Sequence, residues 1–201
     1  MSYRVPVLAL VVGALVSGTA LARETVLENI PLKWSPTSTL AEMGPLDLSA
    51  PDLAARIHID ALVDNRQNPT LIGQNTEKPA KPRSVTTSGD VGAFVTDHLK
   101  DTLRSAGLTV VDAPGDLTLS GEIRQYFVSE VNTYHGEISL VLHLKNNAGK
   151  EVWSGDITGD AERFGRSYRA DNYFEVLADT LLKAAHNLLM NPGFHDGLEK
   201  H

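Results

Sequence analysis

The residues of this chain that could bind a metal ion or move a proton are its seven histidines and its carboxylates. His58 and Asp60 lie two positions apart on a predicted strand, so both side chains share one face and could hold a metal ion together. With Asp60 or Asp64 as its partner, His58 could also act in a hydrolase. No two histidines have the i, i+4 spacing with a glutamate that zinc proteases use. A solvated polar strand face also accounts for these residues, and we predict no metal site.

Other signatures of catalytic sites are absent from the sequence. The chain contains no cysteine, which excludes thiolate nucleophiles, disulfides and cysteine-ligated zinc. It has no G-x-S-x-G motif, and the segment Gly89-Asp90-Val91-Gly92 lacks the lysine and the further glycines of a phosphate-binding loop. We therefore predict a protein that is not an enzyme and uses no cofactor.

The first 22 residues have the form of an export signal. Arg4 precedes an apolar run from Val5 to Val16, and Ala20-Leu21-Ala22 is a small-residue cleavage site. We predict cleavage after Ala22 and a periplasmic location; the alternative is an uncleaved anchor that crosses the membrane at a tilt. A lipoprotein would carry a cysteine where Arg23 stands, so lipid attachment at that position is excluded.

The charge balance limits the partners of the exported chain. The full chain has a formal net charge of −7, and Arg4 is the single charged residue of the signal, so cleavage leaves −8. Binding to nucleic acids requires a basic surface that displaces counterions, and this charge disfavours it. It also disfavours binding to anionic lipids by charge alone.

Apolar periodicity divides the remaining chain into elements. Residues 23–52 carry four prolines and are predicted to form an extended lead-in. A single α+β domain is predicted over 53–192, followed by a polar tail over 193–201. Within the domain, alternation predicts strands over 57–64, 108–111, 117–127, 138–144 and 152–158, and apolar stripes predict helices over 91–106 and 172–189.

These elements predict a mainly antiparallel sheet of four to five strands with two helices packed on one face. Their order is β-α-β, then a β-meander, then α. The segment from Asn65 to about Thr86 is predicted to be a long loop, which is either functional or disordered.

Several short motifs resemble those of the YajG-like family of bacterial envelope lipoproteins. They are Ser35-Pro36-Thr37, Asp64-Asn65-Arg66, Leu71-Ile72-Gly73 and Gly107-Leu108-Thr109-Val110. The resemblance spans about residues 34–198 and implies an envelope protein, usually tethered by an acylated cysteine. The order of elements is also similar to that of LptE-like and transport-auxiliary lipoproteins, which implies work through binding partners.

Two regions of the predicted fold could bind a partner. The sheet face away from the helices is expected to present Arg124, Tyr126 and His143, and arginine and tyrosine often anchor interfaces. A solvated face is the plainer interpretation. Asp64 and Arg66, at a strand end, could contact a partner or hold their loop by a charge-assisted bond. These five residues are the candidate partner-binding site.

An aromatic and basic stretch before the second helix is a third candidate. It could dock a polar partner or a lipid headgroup, or it could be a mobile connector that covers the sheet edge. Its members are Arg163, Phe164, Arg166, Tyr168, Arg169 and Tyr173.

From these features we predict a non-enzymatic, soluble periplasmic accessory or binding protein of the envelope that acts through protein partners. Peripheral contact with a membrane or lipid is compatible with this function. The alternative is a module that binds a small ligand or lipid in an apolar pocket between sheet and helices, lined by Phe94, Leu142 and Trp153.

Overall fold

The computed structural model describes residues 26–200, so the predicted signal and its cleavage after Ala22 lie outside the described residues. The described chain is an α+β fold with one eight-stranded sheet, which confirms the predicted class. The strands are β1 (Arg56–Ile59), β2 (Val63–Asp64), β3 (Leu71–Asn75), β4 (Arg83–Thr86), β5 (Thr109–Val111), β6 (Leu117–Val131), β7 (Thr133–Asn146) and β8 (Glu151–Arg163). The helices are α1 (Ala50–Ala54), α2 (Val91–Ser105), α3 (Ala170–Leu189) and α4 (Pro192–Leu198), and a 3-10 turn covers Leu40–Met43.

The long strand β6 organises the sheet. Along one edge it pairs antiparallel with β7, from Leu117 opposite Asn146 to Val131 opposite Thr133. Its other edge pairs in succession with the short strands β1, β2 and β3, all parallel to it. Strand β5 extends the sheet beyond β1, β4 extends it beyond β3, and β8 extends it beyond β7. The predicted meander of three antiparallel strands is confirmed as β6–β8.

The prediction of four to five mainly antiparallel strands is wrong, because the sheet has eight strands and four of its pairings are parallel. The extra strands come largely from residues 65–86, predicted to be a loop, which contain β3 and β4. Prolines at positions 69, 79 and 82 dominate this segment, and its fully buried apolar side chains are only Ile72 and Val85. The apolar alternation of this segment is too short to predict strands, because β3 forms only by pairing with the edge of β6.

The first predicted strand, 57–64, is divided in the structure. Ile57 and Ile59 are buried in β1, but the alternation then shifts, so that Leu62 is buried and Val63 is 63% exposed. The amide of Leu62 donates to Oγ1 of Thr96 on α2 at 2.9 Å, which stabilises the break. Within the lead-in, Ile30 forms an isolated bridge with Thr87, beside β4.

Two long helices, α2 and α3, contact each other and bury their apolar stripes in the core with the inner side chains of the meander. Asp90 is the N-cap of α2, and its side chain accepts from Ala93 N at 2.9 Å. Helix α3 begins at Ala170, two residues before the predicted start at 172. Gly159 on β8 allows α3 to approach closely, since a Cβ there would clash with the α3 backbone.

The C-terminal segment is not the polar tail that we expected at 193–201. Asn191 caps α4 by accepting from Phe194 N at 3.0 Å, and Phe194 and Leu198 are fully buried. His195 on α4 contacts Asp52 of α1 through Nδ1 and Oδ2 at 2.9 Å, which joins the two ends of the domain. The prediction therefore misses two of the four helices, because α1 and α4 are short and carry few apolar residues.

Candidate partner-binding groove

A β-bulge in β6 determines which predicted site residues reach the surface. The register with β7 shifts between Ile123 and Gln125, so Arg124 and Gln125 are both exposed. Beyond the bulge the alternation is reversed, and Tyr126 lies on the helix-covered face with no exposed area. Its hydroxyl donates to the carbonyl of Leu177 at 3.2 Å, and burial raises its pKa. The prediction that Tyr126 lies on the open face is therefore wrong.

Arg66 is held in one geometry by Asp64 and the backbone. Its Nε and Nη2 donate to the two carboxylate oxygens of Asp64, each at 2.8 Å. Its Nη1 donates to the carbonyls of Leu71 at 2.9 Å and Tyr126 at 3.2 Å. The side chain is only 6% exposed. Of the two roles that the sequence left open for this pair, the contacts support the structural one, in which it fixes the loop between β2 and β3.

On the open face, Glu122 forms the centre of a polar cluster. It accepts from Nδ2 of Asn65 at 2.8 Å and from Nε of Arg124. The hydrogen bond from Asn65, and then that from Arg124, lower the pKa of Glu122. His143 lies on the same face and contacts Glu151 through Nδ1 and Oε2 at 2.8 Å, which lowers the pKa of Glu151.

A groove of about 290 Å³ lies beside this cluster, at the bulge. Three of the five predicted site residues line it: Arg66, Arg124 and the backbone side of Tyr126. Asp64 stands behind Arg66, and His143 is not among the lining residues. The remaining lining residues, which sequence reasoning missed, are Gln67, Asn68, Leu71, Gln125 and Phe127.

The chemistry of the groove is suited to binding. Arg124 has a side chain that is 57% exposed and offers guanidinium donors beyond those directed at Glu122. Gln125 and the loop amides add donors and acceptors, and the half-buried Leu71 and Phe127 provide apolar surface. The eight described residues that line the groove include no histidine, carboxylate, serine or cysteine, and the hydroxyl of the one tyrosine, Tyr126, is directed at the carbonyl of Leu177 in the core.

His58 does not assemble the hydrolase arrangement considered from the sequence. Its Nε2 lies 3.4 Å from Oδ1 of Asp60, whose side chain is 52% exposed, and its Nδ1 faces the carbonyl of Val111 at 3.2 Å. Asp64 is bonded to Arg66 instead. Within residues 26–200, no three histidines or carboxylates are grouped so that they could hold a metal ion.

The three residues of the predicted apolar pocket lie in different contacts. Phe94 packs edge-on against Trp34, with ring centroids 6.4 Å apart, and Leu142 is buried in the core. Trp153 packs against Phe194 of α4, with centroids 5.3 Å apart. The interior between sheet and helices is thus filled where the sequence suggested a pocket.

None of the helices in the described part of the chain is both long and apolar enough to span a bilayer. No family model and no curated protein matches the sequence.

The comparison with solved structures finds similar bacterial proteins. Protein XCC0632 of Xanthomonas campestris, from the family DUF330, is 13% identical with a TM-score of 0.51, over 82% of this chain and 89% of that one. A minor lipoprotein of Acinetobacter baumannii is 6% identical, with a TM-score of 0.44 over 69% and 92%. A candidate lipoprotein of Caulobacter crescentus CB15 is 14% identical, with a TM-score of 0.45 over 57% and 88%. The similarity to XCC0632 establishes the fold alone.

Proposed function

We propose that this chain is a non-enzymatic, soluble accessory protein of the bacterial periplasm that binds a protein partner at the groove beside the β6 bulge. The observation that carries the proposal is the composition of that groove. It combines an exposed arginine, exposed amides and half-buried apolar side chains, and its described lining residues include no histidine or carboxylate. Arginine and aromatic side chains are the residue types that most often supply binding energy at protein interfaces.

The size of the groove favours a protein partner over a free small molecule. At about 290 Å³ it lies at or below the lower limit of cavities that enclose a typical small ligand, which begin at about 300 Å³. One or two side chains of a partner fit such a volume. The fixed position of Arg66 keeps the groove shaped before binding, which reduces the ordering cost of association.

The proposed compartment rests on the sequence. The charged, apolar and small-residue segments of the first 22 residues support export, and the motifs similar to YajG-like proteins support an envelope location. Arg23 at the position of a lipoprotein cysteine supports a form that is released after cleavage.

Photocrosslinking in living cells tests the groove. A photoreactive amino acid placed at Phe127 is expected to capture one defined protein, because Phe127 lines the groove at the surface. The matched control is Thr158, which is exposed on β8 of the same sheet but does not line the groove. The same adduct from both positions, or none from Phe127, would contradict partner binding at the groove.

Fractionation tests the compartment separately. The chain is expected in the periplasmic fraction with a mass that corresponds to a first residue of Arg23. Recovery of the unprocessed chain from the cytosol would contradict the proposed location.

A further inference from the structure

Three chain segments meet at one end of the sheet, which we call the tip. They are the turn between β3 and β4 (76–82), the turn between β6 and β7 at Asn132, and the connector between β8 and α3 (164–169). Ser167 of the connector joins the first turn, since its Oγ donates to Glu77 at 2.6 Å and accepts from Asn75 at 3.1 Å. The tip is therefore one continuous surface and not three separate loops.

A buried carboxylate holds the tip from beneath. Glu130 is 1% exposed, and its two oxygens accept from the amide of Tyr168 at 2.8 Å and from the hydroxyl of Tyr173 at 2.6 Å. The hydroxyl of Tyr134 donates to the carbonyl of Arg166 at 2.6 Å. Of the roles considered from the sequence, a mobile connector is the one that these contacts oppose, because they fix the backbone on both sides of the exposed residues.

The side chains that the tip presents to solvent are mainly apolar or cationic, and the one exposed carboxylate among its described residues, Glu77, accepts from Ser167. Phe164 is 81% exposed and Val131 is 53% exposed, although each could have been buried in a domain of this size. Lys78, Arg166 and Arg169 are exposed, and none of them forms an ion pair with another described residue. Exposed aromatic and aliphatic side chains accompanied by exposed cationic side chains are typical of protein surfaces that bind at the interface of an anionic membrane.

The start of the described chain adds one more exposed apolar side chain near the tip. The lead-in runs parallel to β4, and the amide of Leu27 donates to the hydroxyl of Tyr168 at 3.4 Å. The described chain therefore begins near the tip, where Val26 is 59% exposed.

We propose that the tip docks reversibly on the surface of an anionic lipid bilayer, with Phe164 and Val131 inserted among the headgroups. The contact rests on the envelope location proposed above but does not require the groove. Each cation near an anionic surface strengthens binding about fivefold, and a phenyl ring taken from water adds about tenfold. Both contributions are needed, because the net charge of the whole protein opposes attachment by charge alone.

The absence of cysteine makes a direct test possible, since one introduced thiol carries the label without competition. The chain from Arg23 onward, which contains every described residue, is labelled with an environment-sensitive dye in the variant Phe164→Cys. The control is Lys150→Cys, in the turn between β7 and β8 at the opposite end of the sheet. Both are titrated with phosphatidylcholine vesicles, with and without phosphatidylglycerol.

The proposal predicts a blue shift and increased emission at position 164 with phosphatidylglycerol vesicles, reversed by salt, and no change at position 150. In a sedimentation assay with the unlabelled chain, the double variant Arg166→Glu, Arg169→Glu is expected to lose at least about 25-fold in vesicle affinity. The matched double variant Lys145→Glu, Lys150→Glu carries the same charge change at the other end and is expected to retain binding.

The proposal is overturned by the absence of a response at position 164, by an equal response at both labels, or by vesicle binding that survives charge reversal at the tip. A response to soluble polyglutamate but not to vesicles would also overturn it, since it would identify the tip as a site for acidic protein segments. Crosslinking from Phe127 does not report on the tip, so failure here is distinguishable from failure of the groove.

Discussion

The groove and the tip both contain arginines, but they use them differently. In the groove, Arg66 and Arg124 each form an ion pair with the carboxylate two residues earlier in the sequence, Asp64 and Glu122. At the tip, Arg166 and Arg169 are exposed without an ion-pair partner among the described residues. These ion pairs offset most of the positive charge of the two arginines and fix their side chains in a defined shape, which suits recognition of one protein. Unpaired charge on a fixed backbone remains available to any anionic surface, which suits a membrane.

The largest expected effect separates the two arginines of the groove. Arg66→Ala removes a nearly buried guanidinium and leaves Asp64 and three backbone carbonyls without their donor, which is expected to lower the free energy of unfolding by about 3 kcal/mol or more. Arg124→Ala, at an exposed pair, is expected to cost less than about 1 kcal/mol. Urea denaturation measures both, and equal costs would show that Arg66 is not a structural residue.

The support beneath the tip gives the next effect. Glu130→Gln replaces one of two buried acceptor oxygens by an amide, so either Tyr168 N or the Tyr173 hydroxyl loses its acceptor. We expect a loss of about 1–3 kcal/mol in unfolding free energy, together with faster amide exchange in the connector 164–169. Ser129→Ala, on the opposite face of the same strand, is the control. Unchanged exchange in the connector would contradict a tip held by Glu130.

The pH dependence of the groove tests how its charge is used. Glu122 has a pKa below its usual value, so its stabilising contribution is fully present above the ordinary carboxyl pKa and is lost as the pH falls through the folded-state pKa. Carboxyl-detected NMR should show this low midpoint. Asn65→Ala should raise it at least as much as Arg124→Ala, because the Asn65 hydrogen bond makes the larger contribution. A Glu122 midpoint that stays the same in both variants would contradict the hydrogen bonds that define the cluster.

The smallest effect on stability is expected at the most exposed aromatic residue. Phe164→Ala should change the unfolding free energy by less than about 0.5 kcal/mol, because the ring makes few internal contacts. Met190→Ala, at the opposite end of α3, is the matched control. A large loss of stability in Phe164→Ala would mean that the ring belongs to the core and not to a docking surface.

The meander and the two long helices could be predicted because each carries its own long periodic pattern. The strands β6–β8 are 13 to 15 residues long and alternate over most of that length, and α2 and α3 have continuous apolar stripes. Strands β2 to β4 have two to five residues each. Strands β2 and β3 form because β6 is long enough to pair with several short strands in succession, and β4 forms by pairing with β3. No local pattern encodes these pairings.

The candidate site was predicted only in part, for a related reason. A bulge inserts one residue without changing the apolar composition, so the sequence gives no warning that Tyr126 turns inward. The same shift places Phe127 on the open face, beside the groove. The Asp64–Arg66 pair could be foreseen from its spacing, but its partners Leu71 and Tyr126 depend on strands that the sequence did not reveal.

The most direct test of partner binding at the groove combines crosslinking with a charge reversal. The photoreactive group stays at Phe127, and the yield of its adduct in cells is compared between the otherwise unchanged chain and the variants Arg124→Glu and Lys145→Glu. We predict that Arg124→Glu abolishes the adduct at equal protein levels, while Lys145→Glu, an exposed residue on the neighbouring strand outside the groove, preserves it. An adduct of unchanged yield in Arg124→Glu would contradict the proposal that the groove binds the partner.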